Sequence, residues 1–138
     1  SLRSKSLKFI YSIIIFVFFF IFTSCSTILE EMQRITSHDG KVDVVLMREN
    51  SGATTSFVYL VYLVDKDEKV TKRNKGYTFV ADKAHGMYIE WNDNLNLTIF
   101  YPQKARITGY RNYYYHYNND GSFYTISIRI KEIKNVIE

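Results

Sequence analysis

The residue of this chain that most clearly indicates a chemistry is Cys25. It is the only cysteine, and it ends the sequence Phe22-Thr23-Ser24-Cys25 after an apolar run. An apolar residue, two small residues and a cysteine form the pattern of a bacterial lipobox, in which the thiol receives a lipid such as palmitate. Two alternatives are a cleaved secretory signal followed by a free thiol, and a short uncleaved membrane anchor.

The residues before Cys25 have the layout of an export signal. Arg3, Lys5 and Lys8 form a positive region, and Phe9–Phe22 then carries no charge over 14 residues. This length suits a signal peptide better than a spanning helix, which needs about 20 apolar residues. The sequence therefore predicts a lipoprotein signal peptide over 1–24 and a cell-envelope protein held to the membrane by its lipid. Ser26, which follows the cysteine, favours the outer membrane where the host has two membranes.

A hydroxyl-rich segment is the first candidate binding site. Thr54, Thr55 and Ser56 lie in a stretch with Gly52. With Arg48 nearby, these hydroxyls and flexible backbone N–H groups could bind an anion or a peptide carboxylate. Alternatively, the hydroxyls bond to the backbone of their own turn. Arg106 is a second candidate anion contact, or else a charge at the surface or edge of a sheet.

Tyrosines crowd residues 110–117 and form the second candidate. If this segment is a strand, Tyr113, Tyr115 and Tyr117 share one face, and the residues between them share the other. Tyrosine rings could stack on sugars or contact a protein partner. The alternatives are a cross-strand aromatic ladder with residues 123–124, which would only hold a hairpin together, and a contact with the lipid interface.

No arrangement of residues predicts catalysis, a metal or a cofactor. His38, His85 and His116 are far apart, and Asp82 beside His85 supplies two ligands where a zinc site needs more. The sequence has no G-x-S-x-G elbow and no phosphate-binding glycine loop. A binding protein is therefore favoured over an enzyme, although carboxylates brought together by folding would change that prediction.

The charge balance argues against a nucleic-acid partner. The chain has 18 basic and 14 acidic residues, and three of the bases precede the apolar run. The 114 residues that remain after residue 24 therefore carry 15 bases and 14 acids. The basic excess belongs to the signal and is no footprint for nucleic acid. A chain of 114 residues forms one small domain.

A short segment precedes the sheet. Thr27 and Glu30 have the spacing of a capping box, and Ile28, Met32 and Ile35 recur at helical spacing. These patterns predict a short helix within the segment 25–37, and a lipidated tether is the alternative.

From residue 38 to 138 the sequence predicts a single β-rich domain. Its short apolar segments and turn residues indicate about seven strands, and therefore an all-β fold, either a small antiparallel sandwich or a curled sheet. Residues 57–64 are continuously apolar, which is typical of a central strand. The last two strands would form a long hairpin around Asp120-Gly121, in which Ile126, Ile128 and Ile130 face one side. The predicted strands cover residues 42–48, 56–64, 77–82, 87–91, 95–101, 105–117 and 122–133.

Two motifs resemble a known family. Residues 37–41 read S-H-D-G-K and residues 52–57 read G-A-T-T-S-F. This pair is similar to an S-x-D-G-K turn and a G-A-T-T-S-F segment in a family of small bacterial envelope lipoproteins of unknown function. The resemblance covers roughly residues 36–108, including Trp91. It implies an envelope location and supplies no catalytic residue.

Together these features predict a lipid-anchored, non-catalytic binding module whose partner is an envelope protein or a surface polymer. One alternative is an envelope enzyme acting on a cell-wall or surface polymer. Another is an immunity-type lipoprotein that protects the cell from a toxin. An enzyme should have a concave pocket with a perturbed carboxylate or histidine. A binding module should have an exposed patch around Tyr113 to Tyr117.

Overall fold

The computed structural model describes residues 2–22, 27–50, 57–71 and 76–134. One helix, α1 (Leu2–Phe22), precedes nine strands. No helix in these ranges is both long enough and apolar enough to cross a bilayer. The strands are β1 (Ile28–Thr36), β2 (Val42–Asn50), β3 (Val58–Asp65), β4 (Tyr77–Asp82), β5 (Tyr88–Asp93), β6 (Asn96–Tyr101), β7 (Arg106–Tyr110), β8 (Tyr113–Tyr117) and β9 (Phe123–Glu132).

The strands form two sheets that pack face to face, which confirms the predicted all-β fold. The first sheet has the order β1-β2-β3-β4-β7, and all its pairs are antiparallel. The second sheet has the order β5-β6-β9-β8. Its β6–β9 pair is parallel, so the sandwich is not purely antiparallel. Buried side chains of both sheets, such as Val61, Phe79, Ile99 and Ile126, meet in one main core.

Strand β3 is central in the first sheet, as its apolar run predicts. Val61 and Leu63 point into the main core, while Leu60 and Tyr62 point to the opposite face. There they pack in a second apolar cluster with Val70, from the loop that follows β3. A strand buried on both faces needs apolar residues at every position, which explains the absence of alternation.

Strand β9 alternates as predicted. Ile126 and Ile128 are buried in the main core, while Ser127 and Arg129 are exposed on the outer face of the second sheet. The predicted hairpin with β8 is present, with Tyr117 opposite Phe123.

The short helix predicted before the sheet is wrong over residues 28–36. Residues 28–36 are the edge strand β1, which pairs with β2 from Ile28 opposite Asn50 to Thr36 opposite Asp43. A bulge between Glu31 and Gln33 shifts the strand by one residue. Apolar side chains before and after such a bulge fall on different faces, and their spacing imitates that of a helix.

The predicted first arm of the final hairpin, residues 105–117, is two strands. The Arg111 N–H donates to the Thr78 carbonyl in the first sheet (2.8 Å), while the Asn112 carbonyl accepts from the Ile128 N–H in the second (2.9 Å). The chain therefore passes from one sheet to the other between these two residues. This division and strand β1 account for nine strands where about seven were predicted.

Candidate functional site

The outer face of β8 carries the predicted row of tyrosines. Tyr113, Tyr115 and Tyr117 are 40%, 44% and 66% exposed, and Phe123 of β9 beside them is 58% exposed. We call these four residues the tyrosine ladder. They point outwards because every second residue of a strand faces the same side. Strand β8 is at the edge of its sheet, so one side of the ladder is open.

Ring contacts hold the ladder in place. The ring centroids of Tyr113 and Tyr115 are 5.0 Å apart, and Phe123 lies 5.6 Å from both Tyr115 and Tyr117. Arg111 places its Cζ atom 5.9 Å from the Tyr113 ring centroid. The predicted cross-strand contacts are therefore present, and the same rings also stay exposed. Such a fixed surface offers apolar ring area and hydroxyl groups to a ligand with little loss of side-chain entropy.

The inner face of β8 carries the other residues of the segment. Tyr114 is partly buried against the main core, and burial raises its pKa to about 12, with further contributions from Asp65, Glu68 and Tyr124. Its hydroxyl is therefore protonated at physiological pH. His116 is buried, and its ring centroid lies 5.1 Å from that of Tyr124.

A pocket of about 250 Å³ lies beside His116 at one end of the sandwich. The His116 Nδ1 atom is 3.4 Å from the Asp65 Oδ1 atom but is buried without a hydrogen bond. The His116 imidazole therefore lies beside the Asp65 carboxylate, and an imidazole next to a carboxylate is an arrangement found in general bases. Sequence reasoning placed His116 on the inner face but did not predict its contact with Asp65. The pocket is lined by Lys41, Asp65, His116, Tyr117, Asn118 and Asn119.

The S-x-D-G-K residues form a turn at the same end. Ser37 Oγ donates to Asp39 Oδ1 (2.6 Å), the Lys41 N–H donates to the same oxygen (3.2 Å), and Gly40 has a φ of 72°. Burial acts to raise the pKa of Asp39, but the bonds from Ser37 and Lys41 outweigh it and lower that pKa. The Asp39 carboxylate therefore shapes the turn, which is a structural role.

The two predicted arginine contacts each have a carboxylate partner. Arg48 donates to Glu30 on the neighbouring strand (2.6 Å), and its Cζ atom lies 4.5 Å from the Phe57 ring centroid. Arg106 makes a two-pronged bond to Asp82 across the β4–β7 pair, so it is a sheet-edge charge. Neither arginine forms a hydrogen bond or ion pair with a residue of the tyrosine ladder within the described part of the chain. The remaining predicted site residues, Cys25, Thr54, Thr55 and Ser56, lie outside the described residues.

An ion pair between a half-buried arginine and a buried aspartate, which sequence reasoning missed, lies on the first sheet. Asp43 accepts bonds from Arg34 (2.7 Å), from the Thr36 hydroxyl (2.6 Å) and from the Asp67 N–H (2.9 Å). Burial acts to raise the pKa of Asp43, and these three bonds together lower it. The available signal was an acidic residue inside the apolar sequence Val42-Asp43-Val44. The pair holds the loop after β3 over the second apolar cluster.

Within the ranges that the structure describes, no three histidine, cysteine or acidic side chains are grouped so that they could hold a metal ion.

Comparisons of the chain with protein-family models, with curated proteins and with solved structures found no match.

Proposed function

We propose that this protein is a lipid-anchored, non-catalytic binding module of the bacterial cell envelope that contacts its partner through the tyrosine ladder. The observation that carries this proposal is the exposure of four neighbouring aromatic rings on one face. Aromatic residues are enriched at interfaces, where the ring supplies contact area and the tyrosine hydroxyl stays hydrated.

Three carboxylates of the domain have structural roles and are not suited to act as general acids. A general acid at neutral pH needs a raised pKa. The pKa values of Asp39, Asp43 and Asp93 are instead lowered, in each case by hydrogen bonds to neighbouring groups. These carboxylates stay ionised and hold turns and loops in place.

The position of Cys25 is consistent with a tethered binder. Ile28 pairs with Asn50 at one end of the first sheet, and Val42 pairs with Asp65 at the opposite end. Two residues lie between Cys25 and Ile28. A lipid on Cys25 would therefore be attached within about 10 Å of the Asn50 end. The ladder reaches the Asp65 end, where His116 approaches Asp65. A lipid anchor would therefore leave the ladder's Tyr117 side away from the bilayer, which suits a surface that meets another envelope component.

The family resemblance belongs to the same proposal. The S-x-D-G-K turn and the G-A-T-T-S-F segment support membership of a family of small bacterial envelope lipoproteins, and Ser26 supports an outer-membrane location where two membranes exist.

The binding proposal is tested by retrieving the full-length protein from native membranes in mild detergent and identifying what accompanies it by mass spectrometry. We expect Tyr115→Ala to lose a component, either a protein or a co-purifying surface polysaccharide, that the wild type retains. Tyr77→Ala is the matched control, because Tyr77 is 46% exposed but lies on β4 of the other sheet. Equal recovery of every component by wild type and Tyr115→Ala would contradict the proposal, and capture of a toxin would identify the immunity-type alternative.

The anchor is tested separately with Cys25→Ser. We expect the wild type to carry an acyl mass on Cys25 and to remain with membranes, and the variant to lose both properties, because serine cannot form the thioether bond. Membrane retention of a variant without an acyl mass would instead indicate an uncleaved anchor.

The second candidate, an enzyme acting on an envelope polymer, is favoured by one observation. His116 Nδ1 and Asp65 Oδ1 lie 3.4 Å apart beside a pocket and are not hydrogen-bonded, so a substrate would have to tighten this contact into that of a base and its orienting carboxylate. His116→Phe keeps a ring in the buried position and removes the base. Release of fragments from purified cell-wall or surface polymer by the wild type but not by this variant would establish the enzyme and contradict a purely binding role.

A further inference from the structure

The outer face of the second sheet carries only aromatic and polar side chains. Besides the tyrosine ladder, it carries a second aromatic pair, Tyr88 and Phe100, whose ring centroids are 4.6 Å apart in a stacked arrangement. Every other outward position on the four strands is polar or charged, and none is aliphatic. These positions are Glu90, Asn92, Asp93, Asn96, Thr98, Thr125, Ser127, Arg129 and Lys131.

A polar groove of about 330 Å³ on this face is lined by residues of β5, β6 and β9. The Tyr88–Phe100 pair lies further along β5 and β6, and the tyrosines of the ladder lie on β8, on the other side of β9. The lining residues of the groove are held in place before any ligand binds. The Thr98 hydroxyl, in a residue only 8% exposed, donates to Asn92 Oδ1 (2.6 Å), and the Asn96 amide donates to Asp93 Oδ1 (2.8 Å). Donors and acceptors fixed in this way bind a ligand with a smaller ordering cost. The groove is lined by Asn92, Asp93, Asn96, Thr98 and Arg129.

The groove is lined by an arginine, Arg129, that makes no ion pair with any described residue, although the Asp93 carboxylate lines the same groove. Three other arginines, Arg34, Arg48 and Arg106, have carboxylates within 3 Å. Among the described residues, no carboxylate lies within ion-pair distance of Arg129. The one carboxylate in the groove, that of Asp93, accepts hydrogen bonds from Asn96 and Leu95. The guanidinium of Arg129 is therefore available to a carboxylate from outside, which it can bind through two parallel hydrogen bonds.

We propose that this face binds an acidic polysaccharide whose sugars carry carboxylates. Sugar rings stack on the tyrosine ladder at one edge and on the Tyr88–Phe100 pair at the other. A sugar carboxylate pairs with Arg129, and sugar hydroxyls bond to the fixed side chains of Asn92, Asp93 and Asn96. This assignment rests on the proposed binding function and names the class of its ligand.

A protein partner fits this face less well. The centre of a protein–protein interface is depleted of charged residues and packs tightly against the partner. Here the centre is a groove with a guanidinium, a carboxylate and amides, while the rings lie to either side. Sugars have both apolar ring faces and many hydroxyls, and therefore match a surface that alternates aromatic and polar groups.

The test uses the full-length protein in mild detergent and three probes, polygalacturonate, alginate and hyaluronate. Each is compared with its carboxyl-reduced, neutral counterpart by affinity electrophoresis and calorimetry. We expect at least one acidic polymer to bind and its neutral counterpart to bind more weakly. Arg129→Gln should weaken binding about tenfold by removing charge-assisted hydrogen bonds. Tyr115→Ala and Tyr88→Ala should each weaken it about three- to tenfold by removing a stacking surface.

Two control variants match these changes. Lys66→Gln removes an exposed positive charge from the loop after β3, and Tyr77→Ala removes an exposed tyrosine from the first sheet. Both should bind as the wild type does.

Four outcomes would overturn the proposal. Equal binding of acidic and neutral polymers, with no effect of Arg129→Gln, would refute the acidic ligand. Equal loss of binding in the controls would refute this face as the site. Binding to none of the probes, with a protein partner still lost on Tyr115→Ala in the membrane retrieval, would refute the polysaccharide while leaving the binding function intact. Binding to none of the probes, together with equal recovery of every component by wild type and Tyr115→Ala, would refute both the polysaccharide ligand and the binding function.

Discussion

Asp43 is almost fully buried and yet ionised, because three hydrogen bonds replace the water that its carboxylate loses on folding. Asp43→Asn keeps the shape and removes the charge, which leaves Arg34 without its buried partner. We expect the free energy of unfolding at pH 7 to fall by about 2 kcal/mol, measured in urea. Glu90→Gln, at an exposed position, should change it by less than about 0.5 kcal/mol. A loss no larger than that of the control would contradict the structural role of the pair.

The same carboxylate predicts a dependence of stability on pH. The folded pKa of Asp43 is lowered, whereas an unfolded aspartate has a pKa of about 3.9. Its contribution is therefore fully present above about pH 4 and is lost as the pH falls through the folded pKa. We expect the difference in unfolding free energy between wild type and Asp43→Asn to narrow below about pH 4 in urea titrations. A constant difference from pH 7 to pH 3 would contradict this assignment.

Among the elements, the β8–β9 hairpin positions the tyrosine ladder, and its turn depends on Gly121. This glycine has a φ of 86°, in the left-handed region that other residues adopt at a cost. Gly121→Ala should therefore destabilise the protein by about 1 kcal/mol and lower its Tm. Gly76→Ala is the control, because Gly76 has an ordinary φ and open space around its Cα. Equal Tm values for Gly121→Ala and Gly76→Ala would show that the turn does not require a glycine at position 121.

The sequence was sufficient for elements whose burial pattern is local. The apolar run of β3 predicted its central place, and the alternation in β9 predicted which residues enter the core. The sequence was insufficient for β1. The bulge near Met32 turns the residues after it to the opposite face of the sheet, and no residue type in this segment indicates a bulge. The switch of sheets at Arg111 and the parallel β6–β9 pair depend on distant partners, which no local pattern records.

Some features of the candidate site could also be predicted from the sequence, and others could not. The exposure of Tyr113, Tyr115 and Tyr117 followed from the two-residue period of a strand. The carboxylate partners of Arg48 and Arg106 could not be predicted, because they lie on neighbouring strands whose register is set by the whole sheet. The groove around Arg129 was missed for the same reason, since its lining comes from β5, β6 and β9.

At the scale of the whole molecule, the proposed lipid on Cys25 would fix which end of the sandwich meets the bilayer. The length of β2 separates the two ends by about 25 Å. We expect a fluorophore on Asn50→Cys to be quenched by spin-labelled lipids when the acylated protein is in vesicles, because Asn50 pairs with Ile28 near the anchor. A fluorophore on Asn119→Cys, in the exposed β8–β9 turn, should be quenched far less. Equal quenching, or the reverse order, would contradict this orientation.

The central place of β9 makes the second sheet depend on a strand that is translated after all the others described. Leu97 of β6 meets Ile128 of β9 only when a loop of about 30 residues closes, a slow kind of contact to form. A chain interrupted before Phe123 would expose the edges of β6 and β8 and lack Ile126 and Ile128 in its core. Open strand edges of this kind favour aggregation and access by proteases. A stop codon before Phe123 is therefore expected to give a chain that aggregates or is degraded, and not a smaller folded domain.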